Sequence, residues 1–119
     1  MSVANDLNAL DERKRQDAAR KLIAEAMQRL SELRRKTDLL EAGVRATWEE
    51  TNTLAMHLVQ VGGPLDLGLL VACAREVLHF TTRRLGGEEM TPQLALYLQS
   101  ALDTLEMELD RLDRDQELR

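Results

Sequence analysis

Asp66–Leu85 reads DLGLLVACAREVLHFTTRRL and is the most apolar segment of a 119-residue chain. At about 100° per residue it places Leu67, Leu70, Val71, Ala74, Val77, Leu78 and Leu85 on one face of a helix. Leu69, Cys73 and Phe80 form a second patch beside that face. Arg75, Glu76, His79 and Arg83 keep the remaining arc polar. A helix that avoids water over more than half its circumference belongs in the middle of an assembly. So short a chain offers few other helices to cover it, so part of the cover is expected from a second chain.

Upstream of this segment the apolar spacing of three and four runs from Ile23 without a slip. One seam is Ile23, Leu30, Thr37, Val44, Thr51 and Leu58; the other is Ala26, Leu33, Leu40, Thr47, Leu54 and Val61. That is the period of a coiled coil or of a bundle face. A continuous helix of ~40 residues at ~1.5 Å per residue would be about 60 Å long. Two features act against continuity. Thr37-Asp38-Leu39-Leu40-Glu41 has the form of a capping box with Asp38 as cap, and Gly43 weakens the helix locally. The unbroken register favours one long helix, kinked near residues 36–43; a break there would make four helices from three. The threonines at 37, 47 and 51 weaken the middle of the seam and suit a small or polar contact surface.

Gly62-Gly63-Pro64 separates this helix from the apolar one, because glycine accepts the left-handed cap and proline opens a helix. Gly86-Gly87 stops the apolar helix. Thr91-Pro92 then starts the last one, with threonine as N-cap and proline at the first helical position. Its stripe is Leu94, Leu98, Ala101, Leu102, Leu105, Leu109 and Leu112. At the other end of the chain, Asn5 or Asn8 is placed to cap the first helix. Asp11–Ala18 is so polar that it either projects into solvent or orders poorly. Residues 1–5 and 114–119 are expected to fray. The whole is one all-α domain over 1–119: an up-down bundle of three long helices, completed by homodimerisation.

Composition narrows the function. The chain holds 23 leucines against one Trp, one Tyr and one Phe, so its interior is aliphatic. The formal net charge of −5 argues against non-specific binding to nucleic acid. Residues 1–36 carry nine Lys/Arg and six Asp/Glu, whereas residues 90–119 carry three and seven. A basic front and an acidic back can pair in an antiparallel bundle or across a dimer. One cysteine excludes an intramolecular disulfide and a cysteine-based zinc site, which fits a reducing cytoplasm. No apolar run reaches the ~18–20 residues needed to span a bilayer, and the N-terminus lacks a signal-peptide core. No membrane association and no cofactor are expected.

Candidate chemistry is sparse. Glu76-x-x-His79 has the spacing of a di-iron ligand pair, but it occurs once and falls on the polar arc. Cys73 with His57 or His79 would make a thiol–imidazole pair, yet Cys73 lies in the apolar arc with nothing nearby to lower its pKa. The glycine pairs lack the lysine and spacing of a phosphate loop. Arg13-Lys14-Arg15, Arg20-Lys21 and Arg34-Arg35-Lys36 are basic clusters, but acidic residues are interspersed and aromatics are missing. Membrane-surface binding would rest on Trp48 alone, with Glu49 and Glu50 following it.

What remains is apolar surface beyond the needs of a core: Met56, Val59, Leu96 and Met107 off the stripes, Trp48 beside its seam, and the second patch of the apolar helix. Trp48, Met56, Leu69, Cys73 and Phe80 are therefore read as partner-binding residues. In size and character the chain resembles the QslA-like family of small bacterial quorum-sensing antiactivators. That resemblance implies a homodimer that offers a helical apolar surface to the dimer interface of a transcription regulator. The reading is a non-enzymatic protein that sequesters a protein partner. The alternative is a nucleic-acid-associated accessory protein, with Arg34, Arg35 and Lys36 as the contact to nucleic acid or to an acidic partner.

Overall fold

Apolar residues three and four apart, with breakers confined to a few positions, give five helices. They are α1 (Val3–Arg34), α2 (Thr37–Glu41), α3 (Arg45–Gly62), α4 (Gly68–Leu85) and α5 (Pro92–Glu117). The computed structural model describes the backbone of residues 3–117 and the side chains of residues 11–116. Expectations for residues 1–2 and 118–119 lie outside the described residues. Helix α1 already begins at Val3, so Asn5 and Asn8 fall inside it rather than at its cap.

The long helix expected from residue 23 onward is broken. After Arg34 the chain makes a turn in which the Thr37 hydroxyl donates to the Arg34 carbonyl at 2.7 Å. Asp38 therefore caps nothing: it lies inside α2, whose N-cap position is Lys36. Gly43 then takes φ +75° and Val44 turns extended (φ −62°, ψ 115°) before α3 begins. The left-handed conformation at Gly43 costs an L-residue about 1–2 kcal/mol and glycine nothing comparable. A side chain there would also meet Met90, because a Cβ would lie 2.8 Å from its Cγ.

At the next connection the left-handed residue is not one of the glycines. Gly63 is right-handed, and Asp66 carries φ +59°. Its neighbour Leu67 closes the turn by donating its N–H to the Gly62 carbonyl at 3.0 Å. Helix α4 stops at Gly86, with Gly87 at φ +107°. The start of α5 is as the sequence implies, the Leu94 N–H donating to the Thr91 hydroxyl at 3.1 Å.

Tie points set the packing. Asn52 donates to Thr81 at 2.9 Å, and Gly62 packs against Val71, so α3 and α4 are antiparallel. Phe80 stacks on Tyr97, and Glu108 lies close enough to act on Cys73, so α4 and α5 are antiparallel. Arg34 reaches Gln99 and Glu106, while Arg15 and Leu112 share a depression at the far end, so α1 runs antiparallel to α5. Helix α1 packs beside α3 as well. Four long helices thus alternate in direction around one core.

That core contains Ile23, Ala26, Leu30 and Leu33 of α1, Leu40 of α2 and Leu54 and Leu58 of α3. Leu70, Ala74 and Val77 come from α4, and Leu98, Leu102, Leu105 and Leu109 from α5. Leu70 and Ala74 are fully buried by helices of the same chain, whereas Leu69 on the other side of α4 is 59 % exposed. Helix α1, at about 48 Å, outruns the ~27 Å of α3 and α4. All its side chains from Asp11 to Ala18 are exposed. The molecule is correspondingly long, 61 × 26 × 19 Å, with a radius of gyration of 16.6 Å. A rounded domain of this length would have about 13–14 Å.

Candidate partner-binding surface

The five apolar residues read from the sequence as partner contacts separate into two groups. Trp48 is fully buried, and its indole N–H donates to the Leu40 carbonyl at 2.9 Å. Its ring serves the α2–α3 corner, so it is a core residue and not a surface anchor. Cys73 is also closed off, at 8 % exposure. Burial, then the nearby carboxylates of Glu108 and Glu76, push its thiol above the ordinary value of 9.0. That is the opposite of what an activated nucleophile needs. The reason for both corrections is geometric: a helix flanked by two or three others buries a wider arc than the two seams of a coiled coil. Alkylation of Cys73 in the native chain is therefore expected to be at least tenfold slower than in denaturant. Its pH midpoint should lie above 9.0 in the folded protein. An equal rate in both states would place the thiol on the surface.

Met56, Leu69 and Phe80 do reach solvent. Met56 is 44 % and Leu69 59 % exposed, and Phe80 is half-buried. All three border the outward face of α4. Between Asn52–Thr82 and Gly62–Val71 the antiparallel register sets Met56 and Val59 alongside Leu78 and Arg75, on the α3 shoulder. On the other shoulder Leu69 and Phe80 line the seam with α5, with Cys73 as its floor. Phe80 stacks on Tyr97 with ring centroids 5.7 Å apart, and Tyr97 is itself 48 % exposed. Tyr97 is the residue that sequence reasoning missed. Its place off the α5 stripe was visible, but its pairing with Phe80 depends on the register of two helices.

Arg75, His79 and Arg83 run along α4 between the two shoulders at four-residue spacing and line an open depression with Leu78 and Thr82. The Arg83 guanidinium lies 5.7 Å from the centre of the Phe80 ring, and His79 packs edge-on against the same ring at 5.2 Å. Arg83 also pairs with Glu88 at 2.9 Å. Arg75 has no ion pair among the described residues. Glu76 and His79 are both exposed on this face, and among the described residues no three His, Cys, Asp or Glu side chains converge as a metal site.

The basic trio at the end of α1 is not one patch. Arg34 turns inward to α5, where it meets Gln99 at 2.7 Å, Glu106 at 3.2 Å and Asp103. Lys36 pairs with Glu50 at 3.1 Å, which leaves Arg35 exposed by itself. The basic front and acidic back of the chain therefore meet inside one molecule. The seam threonines are also inward-facing: Thr51 donates to the Thr47 carbonyl at 2.8 Å, and both are buried. No helix among the described residues is long and apolar enough to cross a membrane. Comparison with protein-family models, with curated proteins and with solved structures gives no match to this chain.

Proposed function

We propose that this chain is a non-enzymatic regulatory protein that binds and sequesters a protein partner on the outward face of α4. The observation that supports this is the gathering of Met56, Leu69, Phe80 and Tyr97 around one helix of a bundle whose core is otherwise closed. Exposed aromatic and aliphatic side chains beside arginine are the composition of interface anchors. A transcription regulator is the partner class suggested by the antiactivator resemblance, with an interaction in the cytoplasm. Self-association into a homodimer belongs to the same reading. Leu96 (66 % exposed) and Met107 (71 %) on the outer side of α5 are the most exposed apolar residues left for it among the described residues.

The test is capture from native-host lysate with nuclease present, comparing the wild type with Leu69→Lys/Phe80→Lys. One near-stoichiometric protein is expected, with its recovery cut at least tenfold in the variant while the helical signal and melting temperature hold. Undiminished capture by a folded variant, or recovery of nucleic acid alone, would overturn the reading. Sedimentation of the wild type against Leu96→Lys/Met107→Lys checks self-association. A dimer that the substitutions dissociate is expected, and a wild type that sediments as a monomer at all concentrations refutes it.

A further inference from the structure

Little separates the corner between α1 and α3 from a straight helix. Lys36 (φ −105°, ψ 25°), Gly43 (φ +75°) and Val44 (φ −62°, ψ 115°) leave helical geometry, while α2 and Ala42 between them keep it. The apolar register is the same on both sides. Leu30, Leu33 and Leu40 before Gly43 and Thr47, Thr51 and Leu54 after it are all buried. Val44 is the seam residue that the closed corner leaves in solvent, at 39 % exposure. Helices α1 and α3 run antiparallel across a depression lined by Arg29, Leu33, Glu50 and Thr53. Their pairing is therefore reflected about the corner itself.

From this geometry we infer that the corner is a hinge through which two copies of the chain exchange α1. Opened, residues 3–62 form one helix of about 90 Å, and two such helices cross antiparallel at a two-fold axis within α2. Each α1 then lies between α3 and α5 of the other copy and remakes the contacts of the closed chain. Val44 comes into the seam. What is given up is local to the corner, chiefly the Trp48 N–H to the Leu40 carbonyl at 2.9 Å and Arg84 to the Gly43 carbonyl at 3.3 Å. In the open helix both carbonyls accept from the backbone N–H four residues on. Trp48 is thus the restraint on the closed form, and Gly43 the residue that permits it. This dimer goes beyond the docking reading and uses neither the face of α4 nor the outer side of α5.

Gly43→Ala tests the exchange. Alanine is strained at the left-handed corner, crowds Met90 there and favours the straight helix, and each effect counts twice in a dimer. Sedimentation of the full chain after refolding at millimolar concentration is expected to show a dimer association constant at least a hundredfold above wild type. Trp48→Phe loosens the closed corner without touching the hinge backbone and should raise it at least fivefold. X-ray scattering should give the dimer a long dimension of about 90 Å or more, against 61 Å for the closed chain. Leu96→Lys/Met107→Lys should leave it intact. Arg45→Pro is the control, since proline fits the first position of α3 after an extended Val44 but breaks a helix that runs through it. Alone it should give a folded monomer, and with Gly43→Ala it should abolish the dimer. Gly43→Ala and Trp48→Phe chains that stay monomeric, a dimer that survives Arg45→Pro, or one no longer than the closed chain would overturn the exchange.

Discussion

Trp48→Ala is expected to lower the unfolding free energy by about 3–5 kcal/mol, read from urea denaturation followed by far-UV circular dichroism. The ring is fully buried at the corner where α2 meets α3, and its N–H satisfies the Leu40 carbonyl at 2.9 Å. Removing it leaves a large cavity and takes one of two donors from the Leu40 carbonyl, which still accepts from the Gly43 N–H at 3.0 Å. Domains of this size are held by roughly 5–15 kcal/mol, so the loss is a large share of the whole. Trp48→Phe separates the two terms, because it keeps most of the bulk and removes only the indole donor. It is expected to cost about 0.5–1.5 kcal/mol, the net worth of one hydrogen bond. A loss below about 1 kcal/mol for Trp48→Ala would mean that the indole lies on the surface, as an interface anchor would.

Gly43→Val should be nearly as damaging, at about 2–4 kcal/mol, from two additive causes. A β-branched residue at φ +75° is strained whatever the space around it. Its Cβ would also fall 2.8 Å from Met90 Cγ, in the connection between α4 and α5. Gly43→Ala carries the backbone term with less crowding and should fall between wild type and valine. Pairing either with Met90→Ala separates the causes, since only the crowding is relieved. Stability unchanged in Gly43→Val would mean that α1 and α3 join without the left-handed corner.

Much of this architecture is written in the spacing of leucines. The apolar face of α4, the Thr91 cap and the stripe of α5 all lie where the sequence puts them. The break between α1 and α3 is harder to read because α2 is itself a helical turn. Leu40 stays in the core at 1 % exposure and Thr47, Thr51, Leu54 and Leu58 follow in register. The three-four pattern therefore passes through a corner as if the helix were continuous, and only Val44, at 39 % exposure, betrays it. Among the candidate contacts, Met56 and Leu69 are legible because they lie opposite any stripe. Trp48 and Cys73 lie just outside a stripe, and whether such a residue is covered depends on how many helices flank it. A helical wheel does not contain that number. The Phe80–Tyr97 stack lies further still from the sequence, since it needs the relative register of α4 and α5.

The alternating order of the helices has a kinetic consequence. Helix α3 packs on α4 and α4 on α5, each pair joined by a connection of only a few residues, so these contacts cost little loop entropy. The meeting of α1 and α2 with α5 joins distant parts of the chain, and Arg34 with its partners at Gln99, Asp103 and Glu106 marks that seam. A chain wired in this way has low contact order and belongs among the fast folders. Its rate-limiting search is the return of the last helix to the first.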